Sequence, residues 1–279
     1  MSSVVLDCGG KPLDLDSPRV MGVLNITPDS FSDGGDFIEA DAAIARAREM
    51  VAQGAAIVDV GGESTRPGAA DVPVEEEIRR VVPVIEALAP ALSVPVSVDT
   101  TKPEVIRAAA RAGAGLINDV MALRRSGALE AAAEVRLPVC LMHMQGTPRT
   151  MQTDPRYDDV VEDVFAFLAE RVEACEAAGI PRQRLVVDPG FGFGKNMGHN
   201  ATLLHRLRRL ADLGLPVLVG LSRKSFIGNI LNKPADARLA GSLATAVMAA
   251  WNGAAIIRAH DVEATVDALR VTDYVIKHA

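Results

Sequence analysis

The sequence predicts an α/β protein folded as a single (β/α)8 barrel, with an amino-terminal β-hairpin capping the end away from the chemistry. Three observations carry this. The chain has 279 residues, near the ~250 typical of such a barrel. Eight short apolar runs alternate with eight helical patterns, an order that favours a closed parallel sheet over an open one. Each run also stops at a polar or charged group: Asn25, Asp59, Asp99, Asn118, Met142-His143, Asp188, Arg223-Lys224 and Arg258-Ala259-His260. Strand ends of a parallel barrel share one rim, so those groups should meet there.

The elements follow in order. Val4–Leu15 has two apolar stretches flanking Gly9-Gly10, which reads as the hairpin. The expected organisation is a cap over residues 1–18 and a barrel over 19–279. The strand candidates are Arg19–Leu24, Ala56–Val60, Pro95–Val98, Leu116–Ile117, Pro138–Met142, Leu185–Val187, Pro216–Leu221 and Ala254–Ile257. Each is short and rich in Val, Ile or Leu, as a strand buried on both faces should be. Helical patterns cover Ala40–Gln53, Val74–Ala91, Pro103–Ala112, Gly127–Val135, Tyr157–Ala178, Ala201–Leu213, Ala235–Trp251 and Val262–Lys277. Pro103 suits a first helical turn, and Gly54, Gly113 and Gly179 stand where helices should stop. Thr27–Phe37 and Gly61–Val72 are long Gly/Pro/Ser/Asp-rich loops after strands, hence candidate lids.

Composition narrows the partners. Apolar residues make up 49% and aromatics 4%, and the net charge is −7. A net negative chain argues against nucleic acid as main partner, yet leaves room for a small anion in a local basic pocket. Cys8, Cys140 and Cys175 show no CxxC spacing, so neither a disulfide framework nor a zinc site is expected. Charged and glycine residues interrupt Met1–Gly10 too early for a signal peptide. No apolar run reaches the ~18 residues of a membrane span. The expectation is a cytoplasmic, reducing setting without a membrane partner.

Asp59, Asp99, Asn118 and Asp188 form an acidic and amide set suited to a metal or to a nitrogen-rich heterocycle. A carboxylate accepts two parallel hydrogen bonds from an amino–imino edge. Capping of the next helix is the bland alternative for any one of them. Arg66, Arg223, Lys224, Arg258 and His260 form a basic counterset, suited to phosphate at the last two strands of a barrel. A solvated rim lysine and an ion pair with a nearby Asp are the bland alternatives for Lys224 and Arg258. His143 either serves the site or merely fills the rim. Asp188–Lys195 is Gly-rich and ends in lysine, but it lacks Walker spacing and no Ser or Thr follows Lys195. Phe193 is better read as a platform for a flat ligand.

Met21–Gly35 and Gly61–Gly68 resemble the two signatures of the dihydropteroate synthase family, a pterin-binding TIM-barrel family. Val98-Asp99-Thr100, Ile117-Asn118-Asp119, Met142-His143-Met144, Asp188–Phe193, Ser222–Ser225 and Arg258-Ala259-His260 extend the resemblance in order along nearly the whole chain. It implies a transferase of folate biosynthesis that joins 4-aminobenzoate to a dihydropterin methyl diphosphate. By similarity, Asp99, Asn118, Asp188 and Lys224 bind the pterin, with Met142 and Gly220 lining its slot. Thr65, Arg66, Arg258 and His260 resemble diphosphate contacts, and Asn25 the magnesium contact. Phe193, Pro67 and Ser225 resemble the aminobenzoate pocket, with Lys224 beside it, and Phe31 and Asp33 the first mobile loop. Asp33, Arg66, Asp99, Lys224, Arg258 and His260 are the residues this assigns to catalysis. The resemblance further implies sulfonamide inhibition and a homodimer through the late helices. Three rivals stand beside it: an aldolase using Lys224 as a Schiff base, a pterin-dependent methyltransferase, and a non-catalytic pterin-binding paralogue.

Overall fold

The computed structural model describes residues 4–26, 36–64, 71–146 and 151–279, without the side chains of 36–40. Strands β1 (Val5–Cys8) and β2 (Lys11–Asp14) form an antiparallel hairpin. Eight further strands make one parallel sheet: β3 (Arg19–Asn25), β4 (Ile57–Gly61), β5 (Val96–Asp99), β6 (Leu116–Asp119), β7 (Val139–Met142), β8 (Leu185–Asp188), β9 (Leu218–Val219) and β10 (Ile256–Ala259). Their order is β8-β7-β6-β5-β4-β3-β10-β9. A bridge between Val187 and Val217, with Val187 N donating to Pro216 O at 3.0 Å, joins the two ends of the sheet. The barrel expectation holds.

The helices are α1 (Asp36–Ala52), α2 (Val74–Ala91), α3 (Pro103–Arg111), α4 (Ala128–Val135), α5 (Val160–Ala177), α6 (Met197–His205), α7 (Ser225–Leu231), α8 (Leu239–Trp251) and α9 (Val262–His278). Pro103 occupies the first turn of α3, where its missing N–H costs nothing. Asp159 caps α5 by accepting from Val161 N and Glu162 N. Two expected helices are corrected. The pattern over 201–213 divides into α6 and a 3-10 stretch (Leu207–Leu213), and that over 235–251 into a 3-10 turn (Ala235–Ala237) and α8. The short α7 was not expected.

Val81, Ile85 and Leu88 of α2 and Val164, Leu168 and Val172 of α5 belong to the shared core between helices and sheet. A second cluster fills the barrel's amino-terminal end. There Leu6, Cys8 and Leu13 of the hairpin pack on Met21, Ile57, Leu116, Cys140, Val186, Leu218 and Ile256. The fit is close: a Cβ on Gly115 would lie 2.4 Å from Cys8 O. Lys11 fastens the hairpin by donating to Ala89 O at 2.6 Å and Leu92 O at 2.7 Å at the end of α2, where cations are favoured. Cys8, Cys140 and Cys175 are all free and buried. With one end plugged, the polar strand ends gather at the other.

Candidate active site

The centre of that rim is a buried ion cluster. Asp59, on β4, is wholly buried. Its Oδ2 accepts from Arg258 Nε at 2.7 Å and from Asn118 Nδ2 at 3.0 Å. Arg258 Nη2 also donates to Asp99 Oδ2 at 3.0 Å. One guanidinium on β10 therefore ties together carboxylates from β4 and β5. Such a buried pair needs compensating contacts to offset desolvation. The compensation is incomplete: Asp59 Oδ1 and Asp99 Oδ1 are buried without a hydrogen-bond partner among the described residues. Burial lifts the Asp99 carboxyl to about 7, with Arg258 pulling it down and Asp59 pushing it up. Burial disfavours the Arg258 cation, yet Asp59 and Asp99 outweigh it and hold its pKa above the ordinary value.

The opposite wall comes from β7, β8 and the turn after β8. Asp188 is buried, and its Oδ1 accepts from Gly190 N at 2.7 Å. Gly190 has φ +67°, and a Cβ there would meet His143 O at 1.9 Å. Only glycine permits this approach. Lys224 Nζ donates to Phe191 O at 2.5 Å and lies 4.7 Å from the centre of the Phe193 ring, within cation–π range. Phe193 also packs on the buried methionines Met142, Met144 and Met151. Gly220 leaves the gap between the two cations: a Cβ there would sit 3.7 Å from Arg258 Cβ and 4.0 Å from Lys224 Nζ. Burial, with the charge of Arg258, draws Lys224 down to about 8 against the pull of Asp188 and Asp99. Burial raises the Asp188 carboxyl, and Lys224 opposes that.

Asp99, Asn118, Met142, Asp188, Phe193, Gly220, Lys224 and Arg258 thus come from strand ends and turns of one rim. Asn25 joins them: a Cβ on Gly61 would lie 3.8 Å from Asn25 Oδ1 and 3.5 Å from Asp99 Cβ. His260 follows Arg258, and its Nδ1 lies 3.1 Å from Ser222 Oγ. Ser225 follows Lys224 and is exposed at the first turn of α7. Phe31, Asp33, Thr65, Arg66 and Pro67 lie outside the described residues.

Three readings change. Arg223 leaves the basic counterset, because it forms an ion pair with Asp261, Nε to Oδ2 at 3.0 Å. Asp59 is the wholly buried partner of Arg258 within the rim cluster, so the ion pair weighed for that arginine is present and double. His143 does not fill the rim. It is buried against Lys195, with Nδ1 and Nζ 2.8 Å apart. The Asp59–Arg258 pair spans 199 positions, which no local pattern signals. The Gly-rich run before Lys195 was the only hint of Lys195.

The pterin binding enzyme family profile matches residues 21–260. The dihydropteroate synthase of Escherichia coli K12 is 58% identical over 264 residues, covering 95% of this chain and 94% of the relative. Two solved structures superpose closely. The Yersinia pestis dihydropteroate synthase in a sulfonamide drug complex gives a TM-score of 0.94 at 53% identity, covering 98% of this chain and 99% of that one. The Xanthomonas albilineans dihydropteroate synthase with 4-aminobenzoic acid gives 0.94 at 54% identity, with both chains covered completely at 100%.

Proposed function

The chain belongs to the pterin binding enzyme family, and on that footing we propose that it condenses 4-aminobenzoate with (7,8-dihydropterin-6-yl)methyl diphosphate. The products are 7,8-dihydropteroate and diphosphate, in folate biosynthesis. The observation that carries this reading is the buried acceptor set. Asp59 Oδ1 and Asp99 Oδ1 lack partners among the described residues, and Asp188 stands across from them. A dihydropterin brings the amino and imino donors such a set needs, and a ligand without them leaves buried carboxylates unsatisfied.

The reaction breaks the bond from the methylene carbon to a diphosphate oxygen. The electron pair leaves with the diphosphate, and positive charge spreads from the methylene into the electron-rich ring. Asp99 and Asp188 hold that ring and stabilise the charge as it develops. The neutral arylamine then forms the carbon–nitrogen bond, and the resulting ammonium gives its proton to Asp33 or to water. Phe193 and the methionines behind it supply the apolar wall for the benzoate ring, and Lys224 sits between the two substrates. The same wall suits the sulfonamide class bound by the Yersinia relative.

The leaving group sets a charge requirement. Asp59, Asp99 and Asp188 face two cations, Arg258 and Lys224, so this cluster has little positive charge to spare for a diphosphate. Arg66, His260 and a divalent ion are the sources the reading adds to Arg258. Asn25 offers one neutral amide oxygen, and no group of three acidic, His or Cys ligands occurs among the described residues. That fits magnesium, which keeps its waters and binds through substrate phosphates with few protein ligands. The ion supplies charge neutralisation to the diphosphate.

Ile230, Leu231, Met248, Trp251, Val271, Tyr274 and Val275, on α7 to α9, are exposed. That apolar face supports a homodimer, and Tyr274→Asp is expected to yield monomers by sedimentation velocity. Among the described residues no helix is long and apolar enough to cross a membrane, and the free cysteines suit a reducing, cytoplasmic setting. The deciding experiment measures diphosphate release from the pterin diphosphate with magnesium, with and without 4-aminobenzoate. Release that does not depend on aminobenzoate removes the synthase reading.

A further inference from the structure

The turn after β8 is fastened at every carbonyl from residue 190 to residue 194. Lys195 Nζ donates to Gly190 O at 3.0 Å and to Phe193 O at 3.1 Å. Lys224 Nζ takes Phe191 O, Gln152 Nε2 takes Gly192 O, and Tyr157 Oη takes Gly194 O. Gly192 N in turn donates to Asn200 Oδ1 at 2.8 Å. Of these partners Lys195 alone holds two carbonyls, and it does so from a position 3% exposed. Its third neighbour is His143 Nδ1 at 2.8 Å. His143 N meanwhile donates to Asp188 O at 2.9 Å, and its ring packs edge-on to Phe167 at 4.8 Å.

We propose that Lys195, braced by His143, is a positioning residue that sets the 190–193 turn and through it the places of Lys224 and Phe193. The proposal rests on the reading of Lys224 and Phe193 as substrate contacts. Its physical basis is geometric. Phe191 O anchors the Lys224 nitrogen, and the Phe193 ring lies beneath that nitrogen. Both belong to the four-residue arc that Lys195 grips at its two ends. The Lys195–His143 contact is satisfied in either protonation state. An ammonium donates to Nδ1, whereas a neutral amine accepts from Nδ1–H, and in both cases two N–H groups remain for Gly190 O and Phe193 O. Removing the nitrogen strands Phe193 O and one ring nitrogen and leaves Gly190 O with Phe193 N alone at 3.1 Å, so the arc must shift to satisfy them. Lys195 touches no reacting atom. Its influence passes through the main chain.

Two readouts separate this from a plain stability role. In Lys195→Met, amide hydrogen exchange in 188–195 should quicken at least tenfold, while exchange in β3 to β5 stays as in the wild type. The KM for 4-aminobenzoate should rise at least tenfold, with kcat falling less than threefold. Combining Lys195→Met with Phe193→Ala should give less than the product of the two separate losses. Unchanged exchange in the turn, an unchanged KM, or fully multiplicative losses would overturn the proposal. Should Lys195→Met fail to fold, the His143 pair decides. His143→Leu should raise the aminobenzoate KM, and His143→Gln, which keeps a polar partner for Lys195, should restore it to within twofold. Equal values for the two would refute the brace. The exchange readout needs no turnover, so a wild-type enzyme inactive with these substrates would sink the functional reading and leave this one to be judged separately.

Discussion

Replacing Asp59 with Asn tests the centre of the site. The side chain keeps its shape and loses its charge. Wild-type Asp59 Oδ2 accepts two hydrogen bonds, from Arg258 Nε at 2.7 Å and Asn118 Nδ2 at 3.0 Å. The amide oxygen can take the place of Oδ2 and accept both bonds. The NH2 then replaces Oδ1, which has no partner among the described residues, so what is lost is the charge opposite Arg258. Breaking a buried ion pair costs roughly 3–5 kcal/mol. Arg258 retains Asp99 at 3.0 Å, so the lower end, about 3 kcal/mol, is expected. At about 2–4 °C per kcal/mol for a chain near this size, the Tm should fall by roughly 6–12 °C. A second consequence concerns pH. The folded-state carboxyl of Asp99 sits at about 7, above its ordinary 3.8, partly because of Asp59. A raised carboxyl pKa stabilises the fold fully below the unfolded value and loses that contribution as pH rises through the folded one. The wild type should therefore lose this component between about pH 4 and pH 7. In Asp59→Asn the loss should shrink and move to lower pH. Calorimetric melts from pH 4 to 8 measure both effects. A Tm within 2 °C of wild type, or an unaltered pH slope, would show that Asp59 does not organise Arg258 and Asp99.

Three further expectations follow from the same geometry. Arg258→Ala should weaken diphosphate affinity by about 2–5 kcal/mol, and titration calorimetry showing equal affinity would take Arg258 out of the site. Lys224→Met should raise the pterin KM with the Tm unchanged, and wild-type pterin affinity should decline as pH rises through about 8, where Lys224 loses its proton; a flat profile from pH 6 to 9 contradicts its role. Burial pushes the His143 imidazole down to about 2, so its nitrogen resonances should not titrate between pH 4 and 9. Its contribution to stability is present above the unfolded value near 6.5 and is lost as pH falls. A midpoint near 6.5 in the folded protein would place His143 in water.

The barrel was legible because burial on both faces imposes a local rule: short Val/Ile/Leu runs, each followed by a helix. Strand ends were less legible. An apolar pattern stops at the first polar residue, whereas a parallel ladder continues through it. Asp99 thus pairs with Asn118 across β5 and β6, and Arg258 pairs with Met21 across β10 and β3. The rim set could be named because its members close those runs. Its internal wiring could not, since Arg258 meets Asp59 across 199 positions. Lys195 was harder still, because two of its three partners are main-chain groups of a glycine-rich turn, and carbonyls carry no signature in composition. The seven-residue α7 is too short to show a helical period.

The three thiols lie in two places: Cys8 of the hairpin and Cys140 of β7 share the cluster at the barrel's amino-terminal end, and Cys175 is on the buried face of α5. Burial suppresses ionisation at each, to about 12 at Cys8, well above the ordinary value at Cys140 and to about 11 at Cys175. Alkylating reagents attack the thiolate, so each sulfur reacts only when the packing around it opens. The molecule thereby carries native clocks for two local motions: the hairpin lifting from the barrel floor, which uncovers the cluster of Cys8 and Cys140, and α5 peeling away from Cys175's surroundings. Their relative rates would rank those motions without adding a label.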